Sequence, residues 1–148
     1  MAEMKQEKNW SCEREAELIE MAGRVRENAY APYSHFKVGA ALLADDGKIY
    51  PGCNVENASY GLSVCAERAA VFHAVSHGAT SFQALAVIAD LEEPVPPCGA
   101  CRQILAEFSQ EMPIIMTNLQ GKIRRMKVQD LLPYVFIPDE LREEKVDD

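Results

Sequence analysis

Apolar and polar positions alternate along this chain in blocks whose period changes several times. Leu18, Ile19, Ala22, Val25, Arg26 and Ala29 recur at helical spacing between Glu13 and Ala29, which predicts an amphipathic helix. Ser11 stands where its N-cap would be, and Ala31-Pro32 ends it. Val38–Ala44 is a continuous apolar run, Asp45-Asp46-Gly47 reads as a turn, and Lys48–Cys53 alternates. Together these predict a β-hairpin. A loop of small and polar residues from Asn54 to Ser63 leads to a buried helix over Val64–Ser76, with Ser63 as N-cap and Gly78 beyond its end. Phe82–Ala89 is a strand, Asp90–Pro97 an acidic, Pro-rich loop, and Cys98–Phe108 a second buried helix. Strands at Ile114–Thr117 and Ile123–Lys127 flank a turn at Asn118–Lys122. Short helices at Val128–Leu132 and Asp139–Glu144 close the chain.

Strands that alternate with helices predict an α/β architecture with helices on both faces of the sheet. The opening hairpin makes that sheet mixed rather than purely parallel. No repeat or low-complexity tract divides residues 1–148, so one domain is expected at this length.

Charge narrows the function classes. Against 15 Lys and Arg stand 23 Asp and Glu, a formal net charge of −8. That sign disfavours a phosphate-backbone partner. The basic group Lys122, Arg124, Arg125 and Lys127 reads as the solvated face of an edge strand. There is no secretory signal pattern and no apolar run of membrane-spanning length, so a cytoplasmic protein without membrane partners is expected. Five cysteines, an odd number, in a reducing compartment point to metal or catalysis rather than to disulfides.

Cys98-Gly99-Ala100-Cys101 places two thiolates three residues apart, one above the other on a helix face. Cys65, in the first turn of the preceding helix, is the candidate third ligand of a zinc ion. Glu67 lies nearly opposite Cys65 around an ideal helix. In a first turn, however, side chains lean toward the N-terminus and can converge on an ion beyond it. Two helices meeting N-terminus to N-terminus would hold one zinc between them. Three thiolates and Zn²⁺ sum to −1. The helix dipoles and a hydrogen bond from Arg68 would offset that charge and keep a bound water acidic. Glu67, not a ligand, would be placed to take a proton from that water and give it back. Taken alone, the CxxC favours zinc over a redox dithiol, and Cys65 alone reads as a small buried hydrophobe. Cys12 and Cys53 read as structural. His35, His73 and His77 read as surface or packing residues without a partner at ligand spacing.

Cys65-Ala66-Glu67-Arg68 and Pro97-Cys98-Gly99-Ala100-Cys101 follow the zinc-deaminase signature in its three-cysteine variant. Tyr33–Ala41, Gly52–Tyr60 and Cys101-Arg102-Gln103 extend the match, so that roughly residues 13–137 resemble the small homotetrameric cytidine deaminases. The resemblance implies a three-layer α/β/α sandwich with about five strands and one Zn²⁺ per subunit. It implies hydrolysis of cytidine or deoxycytidine to uridine or deoxyuridine with loss of ammonia. By position, Phe36 would stack on the pyrimidine, Asn54 and Glu56 would bond the ribose 3′-hydroxyl, and Ala66 would offer backbone contacts to the base. Tyr60 and Phe136 would reach into a neighbouring subunit's site. Spacing alone would instead put Phe36 and Phe136 in the core and make Asn54 and Glu56 turn residues.

Three other readings share parts of this pattern. They are a non-catalytic zinc domain closed by Cys53, a polynucleotide deaminase, and a deaminase of a cytosine-containing nucleoside antibiotic. A structural zinc has no use for Glu67, a polynucleotide enzyme needs a basic groove, and the Asn54/Glu56 pair favours ordinary nucleosides.

Overall fold

A computed structural model describes residues 12–138. Helix α1 (Cys12–Arg26) precedes the hairpin β1 (Val38–Ala44) and β2 (Ile49–Cys53). A 3₁₀ turn at Tyr60–Leu62 leads to α2 (Ala66–Ser76), β3 (Phe82–Ala89), α3 (Gly99–Phe108), β4 (Pro113–Asn118), β5 (Ile123–Lys127) and α4 (Val128–Leu131). The strands form one sheet in the order β2-β1-β3-β4-β5. The β3–β4 pair is parallel and the other three are antiparallel.

This order fixes where the helices start. Strands β2 and β3 both run antiparallel to β1, so they are parallel to each other, and β2-α2-β3 and β3-α3-β4 are both crossover units. Such connections are almost always right-handed. A chain that keeps moving in one direction across the sheet therefore lays both helices on the same face. The packing shows it: Ala66, Ala70, Val71 and Ala74 of α2 and Leu105 and Ala106 of α3 share one core with Ala40, Leu42, Leu85, Val87 and Ile114. Leu18 and Ala22 of α1 pack on the opposite face against Ala41, Leu43, Ala84, Ala86, Ile88 and Ile115. The result is the expected α/β/α sandwich. With both faces covered, β1 is buried along its whole length, which is why it reads as an uninterrupted apolar run.

Two glycines set how closely the layers approach. A Cβ on Gly52 would lie 2.7 Å from the Ala66 carbonyl oxygen and 2.8 Å from the Ala69 carbonyl carbon, and would also meet the Ala70 nitrogen. On the other face, a Cβ on Gly39 would lie 2.8 Å from Arg26 Cβ and 2.9 Å from its nitrogen, and would meet the Ala22 carbonyl. These are backbone obstacles that cannot rotate away, so β2 lies directly on α2, and β1 on α1.

Several element ends shift by a few residues from the sequence expectation, those of α1, α2 and α3 among them. Helix α1 stops at Arg26 rather than Ala29 because Tyr30 leaves it to pair with Val55, its N–H bonding the Asn54 carbonyl at 3.0 Å. Helix α2 begins at Ala66, not Val64. The β-branched Val64 pairs with Val55 in an extended bridge, and Ser63 closes the 3₁₀ turn instead of capping α2. Helix α3 begins at Gly99, with Cys98 as its N-cap. The Ser11 cap and the Asp139–Glu144 helix lie outside the described residues. The basic group falls on edge strand β5, where Lys122 and Arg124 pair with Glu93 at 2.8 and 3.9 Å and Arg125 pairs with Glu15. No described helix is long and apolar enough to cross a membrane.

Gly52→Ala must push α2 off the sheet and is expected to lower stability by about 1–3 kcal/mol in chemical denaturation. Gly61→Ala, where nothing lies within 4 Å of the added carbon, is expected to leave the midpoint nearly unchanged.

Candidate metal centre and active site

Parallel β2 and β3 end at the same side of the sheet, and the strand register shows it. Cys53 stands opposite Gly39, while the adjacent Val38 is opposite Ala89, and Ala89 is opposite Asn118. Crevices at the carboxyl ends of such strands are where α/β folds place their sites. Helices α2 and α3 both start here. Cys65 is the N-cap of α2 and Cys98 the N-cap of α3, each with extended backbone angles. This replaces the expected first-turn position of Cys65. As an N-cap it lies outside the helical spiral, so the opposition to Glu67 expected of an ideal helix does not arise.

Cys65 Sγ is 3.6 Å from Cys98 Sγ, and Cys98 Sγ is 3.3 Å from Cys101 Sγ. All three sulfurs lie within 4.8 Å of one another. Around a tetrahedral zinc with Zn–S bonds of about 2.3 Å, sulfurs stand about 3.8 Å apart. The trio fits such an ion, and among the described residues no fourth side chain joins the group. Cys53 takes no part. Its cross-strand partner Gly39 faces α1, and cross-strand partners share a face. Cys53 therefore lies on the far side of the sheet from the cluster, and burial pushes its thiol up. A redox pairing of Cys98 with Cys101 would leave Cys65 unexplained beside them.

Positive potential gathers on the sulfurs. Cys65 and Cys98 cap the N-termini of α2 and α3, where first-turn N–H groups lack intrahelical partners and the helix dipoles are positive. Arg68 donates from Nη2 to Cys65 Sγ at 3.4 Å and to the Ser63 carbonyl at 3.5 Å. A hydrogen bond from Cys101, aided by Arg68 and Cys98, holds the Cys65 thiol well below its ordinary range against the opposing effect of burial. Glu67 is 4% exposed in the first turn of α2. Burial lifts its carboxyl to about 7, helped by the Cys65 thiolate and opposed by its own backbone N–H and by Arg68. A carboxyl poised near neutrality can both take and give a proton.

Beside this centre lies a cleft of about 270 Å³ lined by Tyr33, Ser34, Glu56, Tyr60 and Ser63. Glu56 Oε1 accepts from the Tyr33 and Ser34 N–H groups at 3.0 and 3.1 Å, and Oε2 accepts from Ser34 Oγ. Asn54 accepts from Val38 N–H and donates to the Phe36 carbonyl, both at 2.8 Å. These two side chains thus brace the 33–38 loop, in which His35 adopts a left-handed φ of 59°. Phe36 is half-buried against the main core, and Ala66 is fully buried at the start of α2. Tyr60 is 74% and Phe136 84% exposed, so Phe136 is not the core residue that spacing suggests. Tyr60 meets Tyr33 edge to face, with ring centroids 5.7 Å apart.

Two residues acquire roles that spacing does not reveal. Arg102 donates from Nε to the Pro97 carbonyl, one residue before Cys98, and from Nη1 to the Leu131 carbonyl, each at 2.8 Å. Gln103 donates to the Phe136 carbonyl at 2.8 Å. The first turn of α3 therefore holds both the thiol-bearing loop and the backbone that presents the Phe136 ring. Their place directly after Cys101 is the only sequence signal, because two of the three acceptors, the Leu131 and Phe136 carbonyls, lie 29 and 33 residues away.

Residues 12–117 match the family described as the cytidine and deoxycytidylate deaminase zinc-binding region. A cytidine deaminase of Sporosarcina psychrophila is 57% identical over 125 residues, which cover 84% of this chain and 92% of the relative. A cytidine deaminase of Halalkalibacterium halodurans is 50% identical over 127 residues, 85% of this chain and 96% of the relative. The crystal structure of the Burkholderia pseudomallei cytidine deaminase superposes with a TM-score of 0.80 at 52% identity, covering 82% of this chain and 98% of that one. With its three thiols gathered at two helix N-termini and a buried glutamate beside them, this chain belongs to the zinc-dependent cytidine and deoxycytidylate deaminase family.

Proposed function

We propose that the chain hydrolyses free cytidine and deoxycytidine to uridine and deoxyuridine with release of ammonia, a cytoplasmic reaction of pyrimidine salvage. The observation that carries this reading is Glu67. It is a buried carboxyl that a structural zinc site does not need, standing in the first turn of the helix that Cys65 caps. Cys65, Cys98 and Cys101 hold the zinc, which when bound acidifies a coordinated water toward neutrality. Glu67 accepts a proton from the attacking water at its carboxylate and delivers it to the departing amine, so the carboxylate is restored at the end of the cycle. Arg68 and the two helix ends offset the excess negative charge of three thiolates.

The remaining residues shape the site to a neutral nucleoside. Phe36 offers a ring face to the pyrimidine and Ala66 its backbone to the base. Glu56 lines the cleft with acceptor capacity to spare, and Asn54 keeps one N–H for the ribose 3′-hydroxyl. We assign Tyr60 and Phe136 to the site of a neighbouring subunit in a homotetramer. Their exposure supports this, as do the exposed Leu62 and Phe72. The ion-paired basic residues of β5 give no groove for a polynucleotide. Residues 1–148 act here as one catalytic domain.

Glu67→Gln is expected to lower kcat on cytidine by at least about a hundredfold to ten-thousandfold. Zinc should stay at one per chain by elemental analysis, and full activity in that variant would defeat the assignment. Phenanthroline is expected to abolish the absorbance change of deamination and added zinc to restore it. If CMP reacts and cytidine does not, the free-nucleoside reading fails. Phe136→Ala is expected to raise KM by about tenfold or more, the loss of one aromatic contact. Sedimentation of the parent protein should give four chains per particle, and a monomer with full activity would overturn the shared site.

A further inference from the structure

Two imidazoles stand together away from the thiol cluster, at the C-terminal end of α2. His73 lies in its last turn and His77 is its C-cap. Along the chain neither histidine has a recognised partner, but on the folded helix their four-residue spacing is a chelating one that puts both rings on one face. Their ring centroids are 4.9 Å apart with planes at 68°.

The ring nitrogens are already sorted. His73 Nδ1 is 2.9 Å from the Pro51 carbonyl oxygen, and His77 Nδ1 is 2.9 Å from the His73 carbonyl oxygen. A carbonyl oxygen only accepts, so both Nδ1 atoms carry the hydrogen, and each neutral ring keeps its lone pair on Nε2. Backbone carbonyls holding the distal nitrogen are the usual support of a metal-ligating histidine. Pro51 lies on edge strand β2, and the His73 carbonyl accepts from Ser76 Oγ at 2.9 Å as well as from His77. The two rings are thus fixed by the fold rather than free to wander.

The spacing suits one shared ion. With metal–nitrogen bonds of about 2.0–2.1 Å, each centroid lies about 3.2 Å from the metal, and ligand angles of about 90–110° put the centroids about 4.5–5.2 Å apart. The observed 4.9 Å falls inside that range. Tyr50 walls one side, with centroids 5.4 Å from His73 and 5.8 Å from His77, and its hydroxyl is tied to Asp46 at 2.8 Å. His77 is exposed and His73 half-buried, so an ion can enter from solvent.

We propose that His73 and His77 form a second, bidentate site for a borderline divalent transition metal (Ni²⁺, Cu²⁺ or Zn²⁺), with both Nε2 atoms as ligands and water completing the shell. Imidazole pairs select these ions over Mg²⁺ and Ca²⁺. Such an ion pins the C-terminal end of the helix whose N-terminal end carries Cys65 and Glu67. It binds only the folded chain and so raises the midpoint of thermal unfolding.

The test uses untagged, zinc-loaded protein dialysed against Ni²⁺. Elemental analysis is expected to show one nickel per chain with zinc still at one, and the unfolding temperature is expected to rise. His77→Gln and His73→Gln should each weaken nickel binding by about tenfold or more and cancel the rise. His35→Gln and Cys53→Ser should leave both unchanged. Because His73 is half-buried, His77→Gln decides the matter if the other variant folds poorly. Failure to take up a second equivalent at about millimolar nickel, or undiminished binding in His77→Gln, overturns the proposal.

Discussion

Two helix N-termini held against one another around three sulfur atoms are the constraint on which the rest of this molecule depends. Thiolates crowded within a few ångströms repel, and their charge must be met by a metal cation and by dipoles fixed in advance. The chain supplies those dipoles through topology. Two crossover connections travel the same way across one sheet, so α2 and α3 begin side by side at the carboxyl end of the parallel strands. Cys65 and Cys98 occupy the same structural position on the two helices, the N-cap, and neither thiol is spent on a capping bond.

Close packing delivers the accuracy this arrangement needs. Gly52 lets the backbone of α2 rest on β2 with no side chain between them, and the alanines of α2 keep its inner face thin. A displaced α2 would move Cys65, Glu67 and Arg68 together, since all three lie within its cap and first turn. The same proximity to the core removes Glu67 from water. That desolvation raises its carboxyl toward neutrality, so packing sets the protonation chemistry as well as the position.

The cleft beside the metal centre is built by polar bracing rather than by apolar contact. Asn54 and Glu56 each make two hydrogen bonds to the backbone of the 33–38 loop, and so hold Phe36 in place. Arg102 and Gln103 do similar work on the other side, tying the C-terminal segment to α3. In both cases a side chain that looks like a substrate contact, or like ordinary helix surface, is first a positioning device.

Much of the fold was legible in the chain. The apolar run of β1, the Asp-Asp-Gly turn and the helical spacing of α1 are local patterns, and local sterics and burial decide them. Cys98 and Cys101 were legible as a pair because their separation along one helix is fixed by its geometry, and Glu67 because its type has no structural use there. What only the tertiary structure decided depends on contacts between distant residues. Val64 looks helical until Val55 draws it into a bridge, which moves the cap of α2 from Ser63 to Cys65. Cys65 joins the other two thiols, and Cys53 does not, because Cys53 faces α1, on the side of the sheet away from α2 and α3. Arg102 reaches the Leu131 carbonyl 29 residues away, a distance over which periodicity carries no information.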